Sequence, residues 1–264
     1  MAIGVFGLQV AYRLKRLEVM STDDTHGWFG GGSPGPLSTV DRIDFSNDTG
    51  TANIRGSLSL AREYLAATGN SNYGWFGGGF APTPATFSTV DRIDFSNDSG
   101  TASVRGPLSS ARYYMGATGN SNYGWFGGGS TGSVVATVDR IDFSNDSSTA
   151  SPRGSLSSAR KSLAATGNTN YGWFGGGGPG PLSTVDRINF SNDSVSASVR
   201  SPLSSARYSL AATGNSNYGW FGGGYPVVGT VDRINFSNDS ATASPRGSLT
   251  SARGYLAATS NTPT

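Results

Sequence analysis

The chain has 264 residues, of which 39 are glycine and only 14% are charged, and its formal net charge is +2. Globular proteins carry about 25% charged residues, so this composition indicates a weakly charged protein without the basic surface that nucleic-acid binding requires. Cysteine is absent, which excludes disulfides, thiol catalysis and cysteine-ligated metals. No run of about 18 apolar residues that could form a membrane helix occurs, so we expect no membrane insertion.

Residues 1–25 are the least regular part of the sequence. No positive residue stands before the short apolar stretch, so the segment is a poor signal peptide. IGVFG resembles the later YGWFG, and KRLEVMSTDDT resembles the later DRIDFSNDT, which indicates a degenerate copy of the unit that follows. We predict an N-terminal arm that adds an outer strand or docks on a neighbouring subunit.

Residues 26–264 consist of five copies of one unit of about 48 residues. Each copy contains three blocks that read YGWFGGG, TVDRIDFSND and LSSARYSLAATGN, with small changes from copy to copy. The predicted repeats are 26–72, 73–122, 123–170, 171–217 and 218–264. We treat all of them as one domain, because repeats of this length bury their apolar faces only by packing on one another.

Each repeat predicts four short strands. YGWF is an aromatic strand closed by glycines, and TVDRIDF alternates apolar and polar residues with the period of two that a strand requires. The residues SND are typical of a turn, TASVR is predicted to be the return strand, and ARYSLAAT is predicted to begin the next inner strand. A repeat of 40–50 residues with four strands is typical of one propeller blade, so the five repeats predict an all-β, five-bladed β-propeller.

The two ends of the array predict how the ring closes. The chain enters the array at a second strand, HGWFGGG, and leaves it after a first strand, SARGYLAAT. We therefore expect a last strand at about 252–258 to pair with residues 26–55 and complete the first blade. Such pairing removes open sheet edges that would favour aggregation.

These blocks resemble the kelch repeat, in which an apolar strand ends in glycines and an arginine-bearing loop precedes the next inner strand. WFGGG, TVDRIDF and LSSAR carry the resemblance over residues 26–258. The tryptophan that kelch units carry in their third-strand region is replaced here by small residues such as Ala52 and Ala102, and tryptophan lies before the glycines instead. The resemblance implies a kelch-like propeller.

The full repeat text is also similar to glycine-rich kelch-like proteins among the virion components of marine cyanobacterial phages. That similarity implies a tail- or capsid-associated structural and adhesion protein, located in the virion and assembled in the host cytoplasm. Its implied partners are other virion proteins, bound through the N-terminal arm, and host-surface glycan. The alternatives are a soluble multivalent carbohydrate-binding lectin with about five equal sites and an intracellular adaptor that binds a peptide at the central pocket.

Catalytic chemistry has few residues available. His26 is the single histidine, so we expect no catalytic residues, no cofactor and no enzyme activity. Asp44, Asn47 and Asp48 are close in sequence, as ligands of hard cations often are, but the spacing is not that of an EF-hand. A hairpin turn is the preferred interpretation and a calcium site is the alternative, so no metal ligand is assigned.

Aspartate and arginine recur once per repeat, beginning with Asp41, Arg42 and Arg62. The preferred interpretation is a ring of Asp–Arg pairs and arginine–carbonyl bonds that joins adjacent blades. The alternative is a ring of arginines that faces an anionic partner. The tryptophans similarly have two interpretations, inter-blade core or sugar stacking, of which core is preferred.

Binding is predicted on the face that carries the segments after the glycines, because these segments differ between repeats and recognition commonly uses variable loops on a rigid scaffold. The candidate binding residues are Phe80, Phe87 and Tyr225, together with Arg62, Arg112, Arg160, Arg207 and Arg253. The opposite face carries nearly uniform TGNSNYG and SNDS turns and would suit a repeated, weakly bound glycan.

Overall fold

The repeats form an all-β, five-bladed β-propeller, as the sequence predicts. The computed structural model describes residues 25–32, 35–47, 49–82 and 85–258. The N-terminal arm predicted for residues 1–25 therefore lies almost wholly outside the described residues. Among the described residues, the only helices are single turns of 3-10 type, and none of them could cross a membrane.

Each blade is an antiparallel sheet in which successive strands are neighbours. The strands of blade 1 are β1 (His26–Gly30), β2 (Val40–Asp44) and β3 (Asn53–Ile54). Those of blade 2 are β4 (Ala66–Gly69), β5 (Tyr73–Gly77), β8 (Val90–Asp94) and β9 (Ser103–Arg105), with a small hairpin of β6 (Phe80–Ala81) and β7 (Ala85–Thr86) between β5 and β8.

The three remaining blades repeat this plan. Blade 3 contains β10 (Gly116–Gly119), β11 (Tyr123–Gly127), β12 (Val138–Asp142) and β13 (Ser151–Arg153). Blade 4 contains β14 (Ala164–Gly167), β15 (Tyr171–Gly175), β16 (Val185–Asn189) and β17 (Ser198–Arg200). Blade 5 contains β18 (Ala211–Gly214), β19 (Tyr218–Gly222), β20 (Val231–Asn235) and β21 (Ser244–Pro245).

Aromatic side chains fill the space between blades. Trp125 is fully buried, and its ring stacks on Phe190 of the next blade with centroids 3.7 Å apart. Phe174 of blade 4 lies against Gly127 of blade 3, where any side-chain carbon would come within 2.7 Å of the phenylalanine ring. Glycine at this position is therefore required for blade spacing, and the core interpretation of the tryptophans is confirmed.

The SND turn does more than reverse the chain. In blades 2 to 5 it forms a single 3-10 turn, which Asp94 caps in blade 2 by accepting a hydrogen bond from the backbone N–H of Ser96. The turn delivers the following aspartate, Asp98 in blade 2, to the preceding blade. Its carboxylate accepts a 2.8 Å hydrogen bond from the indole of Trp28 and lies 3.1 Å from the guanidinium of Arg42.

Three further aspartates repeat this arrangement, so the same junction joins blades 1 to 5 in sequence. Each accepts a hydrogen bond from an indole and pairs with an arginine of the preceding blade. We call the four residues of this kind the junction aspartates; they are Asp98, Asp146, Asp193 and Asp239. These aspartates are each about 7% exposed or less, so their charges are held by the junction itself.

The inner strands are shorter than predicted. In blade 5 the strand is only Ala211–Gly214, and the preceding residues form a loop in which Ser209 has a positive φ of 53°. A backbone in that left-handed region leaves the extended conformation, so ARYSL cannot belong to the strand. The predicted strand at 252–258 is wrong in its bounds for the same reason, since Tyr255 has a φ of 57°.

Closure of the ring by the last strand is not confirmed. Blade 1 has three strands among the described residues, and residues 252–258 form no strand there. Phe29 is 37% exposed, whereas its equivalent in blade 3, Phe126, is fully buried. By comparison with blade 5, the missing inner strand would begin at Ala257, one residue before the last described residue. Closure by this shifted segment stays a prediction.

Replacing Trp125 with alanine is expected to lower the free energy of unfolding by about 3–5 kcal/mol, because a large cavity opens and a buried carboxylate loses its indole donor. Chemical denaturation monitored by circular dichroism measures the change. Val199→Ala, at a side chain that is 60% exposed, is the control and should change stability by less than about 0.5 kcal/mol. Equal losses for both variants would contradict the assigned core.

Ring closure predicts a disulfide between cysteines placed at Phe29 and Ala258, because the register Ala212↔Phe221 of blade 5 would recur there. The chain has no cysteine of its own, so oxidation gives one possible bond, visible as a mobility shift on a non-reducing gel. A pair at Phe29 and Val199, which lie in different blades, controls for random oxidation. Persistence of the free thiols in the first variant would rule out this closure.

Candidate functional site on the variable-loop face

The loops that follow the glycines lie against the loops that carry the arginines, on one side of the propeller. Glu63 and Phe80 form a bridge with backbone hydrogen bonds of 2.9 and 2.8 Å in the two directions. The same bridge recurs in blades 3, 4 and 5 as Tyr113↔Ser130, Lys161↔Gly178 and Tyr208↔Tyr225. We call this side the variable-loop face, and its predicted composition from these two loop sets is confirmed.

Four of the five predicted arginines lie inside the propeller. The guanidinium of Arg112 is fully buried, donates hydrogen bonds to the carbonyls of Gly128 and Thr137, and lies 2.7 Å from the carboxylate of Asp139. Burial lowers the pKa of Arg112 and the charge of Asp139 opposes that effect, so the guanidinium stays protonated. Arg160 repeats both carbonyl bonds and the ion pair, whereas Arg62 and Arg207 share the burial and the ion pair with aspartate.

Each of these pairs lies within one blade but joins two consecutive sequence repeats. The arginine comes from the end of one repeat, just before the inner strand, and the aspartate comes from the next repeat. Arg62 thus pairs with Asp91 of blade 2 at 3.1 Å, whereas it is Arg42 that reaches across to the neighbouring blade. An anionic partner outside the propeller would not touch the four buried guanidinium groups. Arg253 is exposed, and its guanidinium donates a hydrogen bond of 3.4 Å to the hydroxyl of Ser251.

The three predicted aromatic residues occupy different places on the variable-loop face. Tyr225 is 47% exposed and its ring lies 5.1 Å from that of Tyr208. Phe80 is half-buried against Tyr113, with ring centroids 5.3 Å apart. Phe87 is half-buried as well, and its carbonyl accepts a hydrogen bond from the N–H of Arg112. Whether these residues bind a partner stays a prediction.

Sequence reasoning missed a second group of residues, those directly after the repeated arginines. These two positions read Glu-Tyr, Tyr-Tyr, Lys-Ser, Tyr-Ser and Gly-Tyr in the five repeats, while both flanks are nearly uniform. The rings of Tyr64 and Tyr114 approach to 4.2 Å, and those of Tyr113 and Tyr114 to 5.0 Å. The variation at these positions was the signal that could have identified them.

The second of these positions forms a backbone belt around the propeller axis. The N–H of Tyr114 donates to the carbonyl of Tyr64, that of Ser162 to Tyr114, that of Ser209 to Ser162, and that of Tyr255 to Ser209, all at 2.8 to 2.9 Å. All five residues have positive φ values between 53° and 60°. Two of these residues, Tyr64 and Tyr255, line a cavity of about 770 Å³ together with the inner strands.

Tyr114 has the most perturbed environment on this face. Burial, contact with the hydroxyl of Tyr64 and the nearby charge of Glu63 raise the pKa of Tyr114 above its usual value near 10. Its hydroxyl is therefore a proton donor throughout the ordinary pH range. The ammonium of Lys161 lies 5.9 Å from the centre of the Tyr114 ring, so a cation already approaches this aromatic group.

The opposite side, which we call the uniform face, carries the turns before the YGWF strands. In blade 2, the side-chain carbonyl of Asn70 accepts hydrogen bonds from the N–H groups of Asn72 and Tyr73. The guanidinium of Arg92 covers the ring of Tyr73 at 4.3 Å, and the equivalent pair is present in blades 3, 4 and 5. These covered tyrosine rings offer a sugar little free surface for stacking.

The SND turns hold their acidic groups in local hydrogen bonds. The carboxylate of Asp44 accepts bonds from the backbone N–H and the hydroxyl of Ser46, which lowers the pKa of Asp44. Asp48 lies outside the described residues. Among the residues that are described, no group of three or more histidine, cysteine, aspartate or glutamate side chains could hold a metal ion.

Comparison with known proteins identifies no relative: no protein-family model matches the chain, and no curated protein does.

The raised pKa of Tyr114 predicts that the folded protein loses stability in alkali. A folded-state pKa above the unfolded value favours the native state fully below pH 10, and this contribution falls as the pH rises above about 10. Spectrophotometric titration near 295 nm should show a tyrosine that ionises later than the others, and Tyr114→Phe should remove it. Tyr218→Phe is the control, and an unchanged late phase in Tyr114→Phe would contradict the assignment.

Proposed function

We propose that this chain is a non-catalytic structural and adhesion protein, in which a rigid propeller presents its variable-loop face to a macromolecular partner. The observation that supports this proposal is the location of the sequence differences. The buried arginines, the junction aspartates and the inner strands are almost the same in blades 2 to 5, whereas the residues after the arginines and after the glycines change from blade to blade.

Geometry explains why that location favours recognition. The changing residues lie opposite one another in bridged pairs, so blades 2, 3 and 5 each contribute two side chains to a single face, and blade 4 contributes that of Lys161 opposite Gly178. Blade 2 contributes Glu63 and Phe80, and blade 5 contributes Tyr208 and Tyr225. Tyrosines with few rotatable bonds are frequent at the energetic centres of protein interfaces. The proposal therefore assigns recognition to this face and leaves the interior to stability.

The setting of the proposed function follows from the resemblance of the repeats to kelch-like virion proteins of cyanobacterial phages. In that setting the propeller would be a tail- or capsid-associated component that contacts other virion proteins or the host surface. The N-terminal arm, residues 1–25, would provide the attachment to the virion, and the variable-loop face would provide the second contact.

Mass spectrometry of purified particles from the phage that encodes the chain should detect the propeller as a virion component. Tagged propeller should also capture virion proteins from a lysate, and a variant with Phe80→Ser and Tyr225→Ser should lose at least about tenfold of that capture. Ile54→Ser, at an exposed outer strand, is the matched control. Absence from purified particles, or equal capture by both variants, would overturn the proposal.

A multivalent lectin is the second candidate, because blades 2 to 5 present the same asparagine-capped turn on the uniform face. Since the tyrosine rings are covered there, a sugar would be held by amide and hydroxyl groups of the turns. Calorimetry with a glycan identified on an array should then give four to five equal sites per chain. A featureless array removes this candidate without affecting the first.

A further inference from the structure

We propose that Glu63 and the aromatic side chains around it form a binding site for a cationic side chain, a lysine or arginine presented by a protein partner. This inference rests on the proposed function, because it identifies the chemistry that one part of the variable-loop face would recognise. The site, which we call the Glu63 cluster, consists of Glu63, Tyr64, Phe80, Tyr113 and Tyr114.

Glu63 is the residue on which the proposal depends. It is only 8% exposed, yet within the described part of the chain no hydrogen bond or ion pair reaches its carboxylate. The other acidic residues that are this buried behave differently: Asp91, for example, pairs with Arg62, and Asp98 with Arg42. The carboxylate oxygens of Glu63 are not fully enclosed, unlike the unpaired Oδ1 of Asp91, so an incoming cation can reach them and form a charge-assisted hydrogen bond.

Aromatic rings lie beside Glu63 on the variable-loop face. Phe80 lies directly opposite Glu63 in the bridge, so their side chains point to the same side. The rings of Phe80, Tyr113, Tyr114 and Tyr64 follow one another with centroid separations of 5.3, 5.0 and 4.2 Å. Aromatic faces attract ammonium and guanidinium groups, and the attraction is strongest where water is excluded. A carboxylate beside several rings is therefore complementary to an organic cation.

One cation of the chain already lies near this place. The ammonium of Lys161 is 5.9 Å from the centre of the Tyr114 ring, and among the described residues it forms no ion pair with Glu63. The negative charge of Glu63 contributes to the raised pKa of Tyr114. The formal net charge of the whole chain is +2, so a basic ligand would not be drawn to the protein by its overall field. Selective binding would have to come from a local site.

The repeats indicate that the carboxylate serves no general structural purpose. The position of Glu63 is occupied by Tyr113, Lys161, Tyr208 and Gly254 in the other repeats, and the bridge with the neighbouring loop forms in blades 3, 4 and 5 without a carboxylate. A sugar ligand would use the rings but would gain little from an unpaired negative charge. The chemistry of the cluster thus favours a basic protein segment over a neutral glycan.

The test measures binding of a fluorescent hexa-arginine peptide to the full chain by anisotropy at about 0.15 M salt, where weak surface attraction is screened. The wild-type chain should bind this peptide more tightly than a hexaglutamate peptide or a neutral oligosaccharide. Glu63→Gln should weaken hexa-arginine binding at least about tenfold, because a charge-assisted contact is lost. The same variant should unfold at a temperature equal to or above that of the wild type.

Asp94→Asn is the matched control. It also removes one negative charge, it lies at the other end of the blade, and Asn189 and Asn235 already fill its capping role in blades 4 and 5. Its affinity for hexa-arginine should equal that of the wild type. Equal losses in the two variants would show nonspecific attraction and overturn the proposal.

The proposal is also overturned if the wild type does not bind the basic peptide, or if a neutral oligosaccharide binds and Glu63→Gln leaves that binding unchanged. These results are distinguishable from failure of the proposed function. If capture of virion proteins persists and the peptide does not bind, only the cation site is lost. If the peptide binds and the chain is absent from virions, the adhesion role is lost while the site remains.

Discussion

The junction aspartate is the group on which the propeller depends. A single carboxylate, such as Asp193, accepts the indole N–H of Trp125 and faces the guanidinium groups of Arg140 and Arg153 at 3.1 and 3.7 Å. It thereby connects three strands of one blade, which in blade 3 are β11, β12 and β13, to the SND turn of the next blade. Buried ion pairs fix geometry more reliably than they add stability, because desolvation offsets much of their attraction. Blade register is set here, while stacked aromatic rings supply the favourable burial.

This junction explains why variation between repeats is greatest on one side. A substitution in WFGGG, in VDRI or in the SND turn would disturb a contact with the neighbouring blade, so such positions have little freedom. Glycines against which a phenylalanine ring packs, such as Gly127, are equally restricted. Freedom remains where a bridge needs only backbone atoms, as it does between Tyr113 and Ser130. The variable-loop face is therefore the part of the molecule that can acquire specificity without loss of the fold.

Periodicity predicted the fold class, the number of blades and the aromatic core, because these follow from repeated blocks of matching strands. The predicted inner strand begins several residues before the observed one. The left-handed backbone at Ser162 or Ser209 interrupts it, and serine gives no sign of that conformation in the sequence, as glycine would. The aspartate of SND was interpreted only as a turn residue, because its hydrogen-bond partner is far away in the sequence. Asp146 and its partner Trp75, for example, are 71 positions apart. Distances of that kind arise only when the ring is assembled. The sequence predicted that the two sets of loops share a face, but it did not single out the residues beside each buried arginine.

Because the repeats are nearly identical, equivalent positions in different blades can be compared directly. Where all blades share a charged residue, as with Arg112 and Asp139, the structure supplies its partner and the charge is part of the scaffold. Where one blade alone has a charged residue, the scaffold has no need of it. Glu63 is such a case, since blade 3 has tyrosine at the same position and forms the same bridge. A carboxylate that the fold neither requires nor pairs is available to a ligand, and such departures from the rules of the scaffold are expected at functional sites.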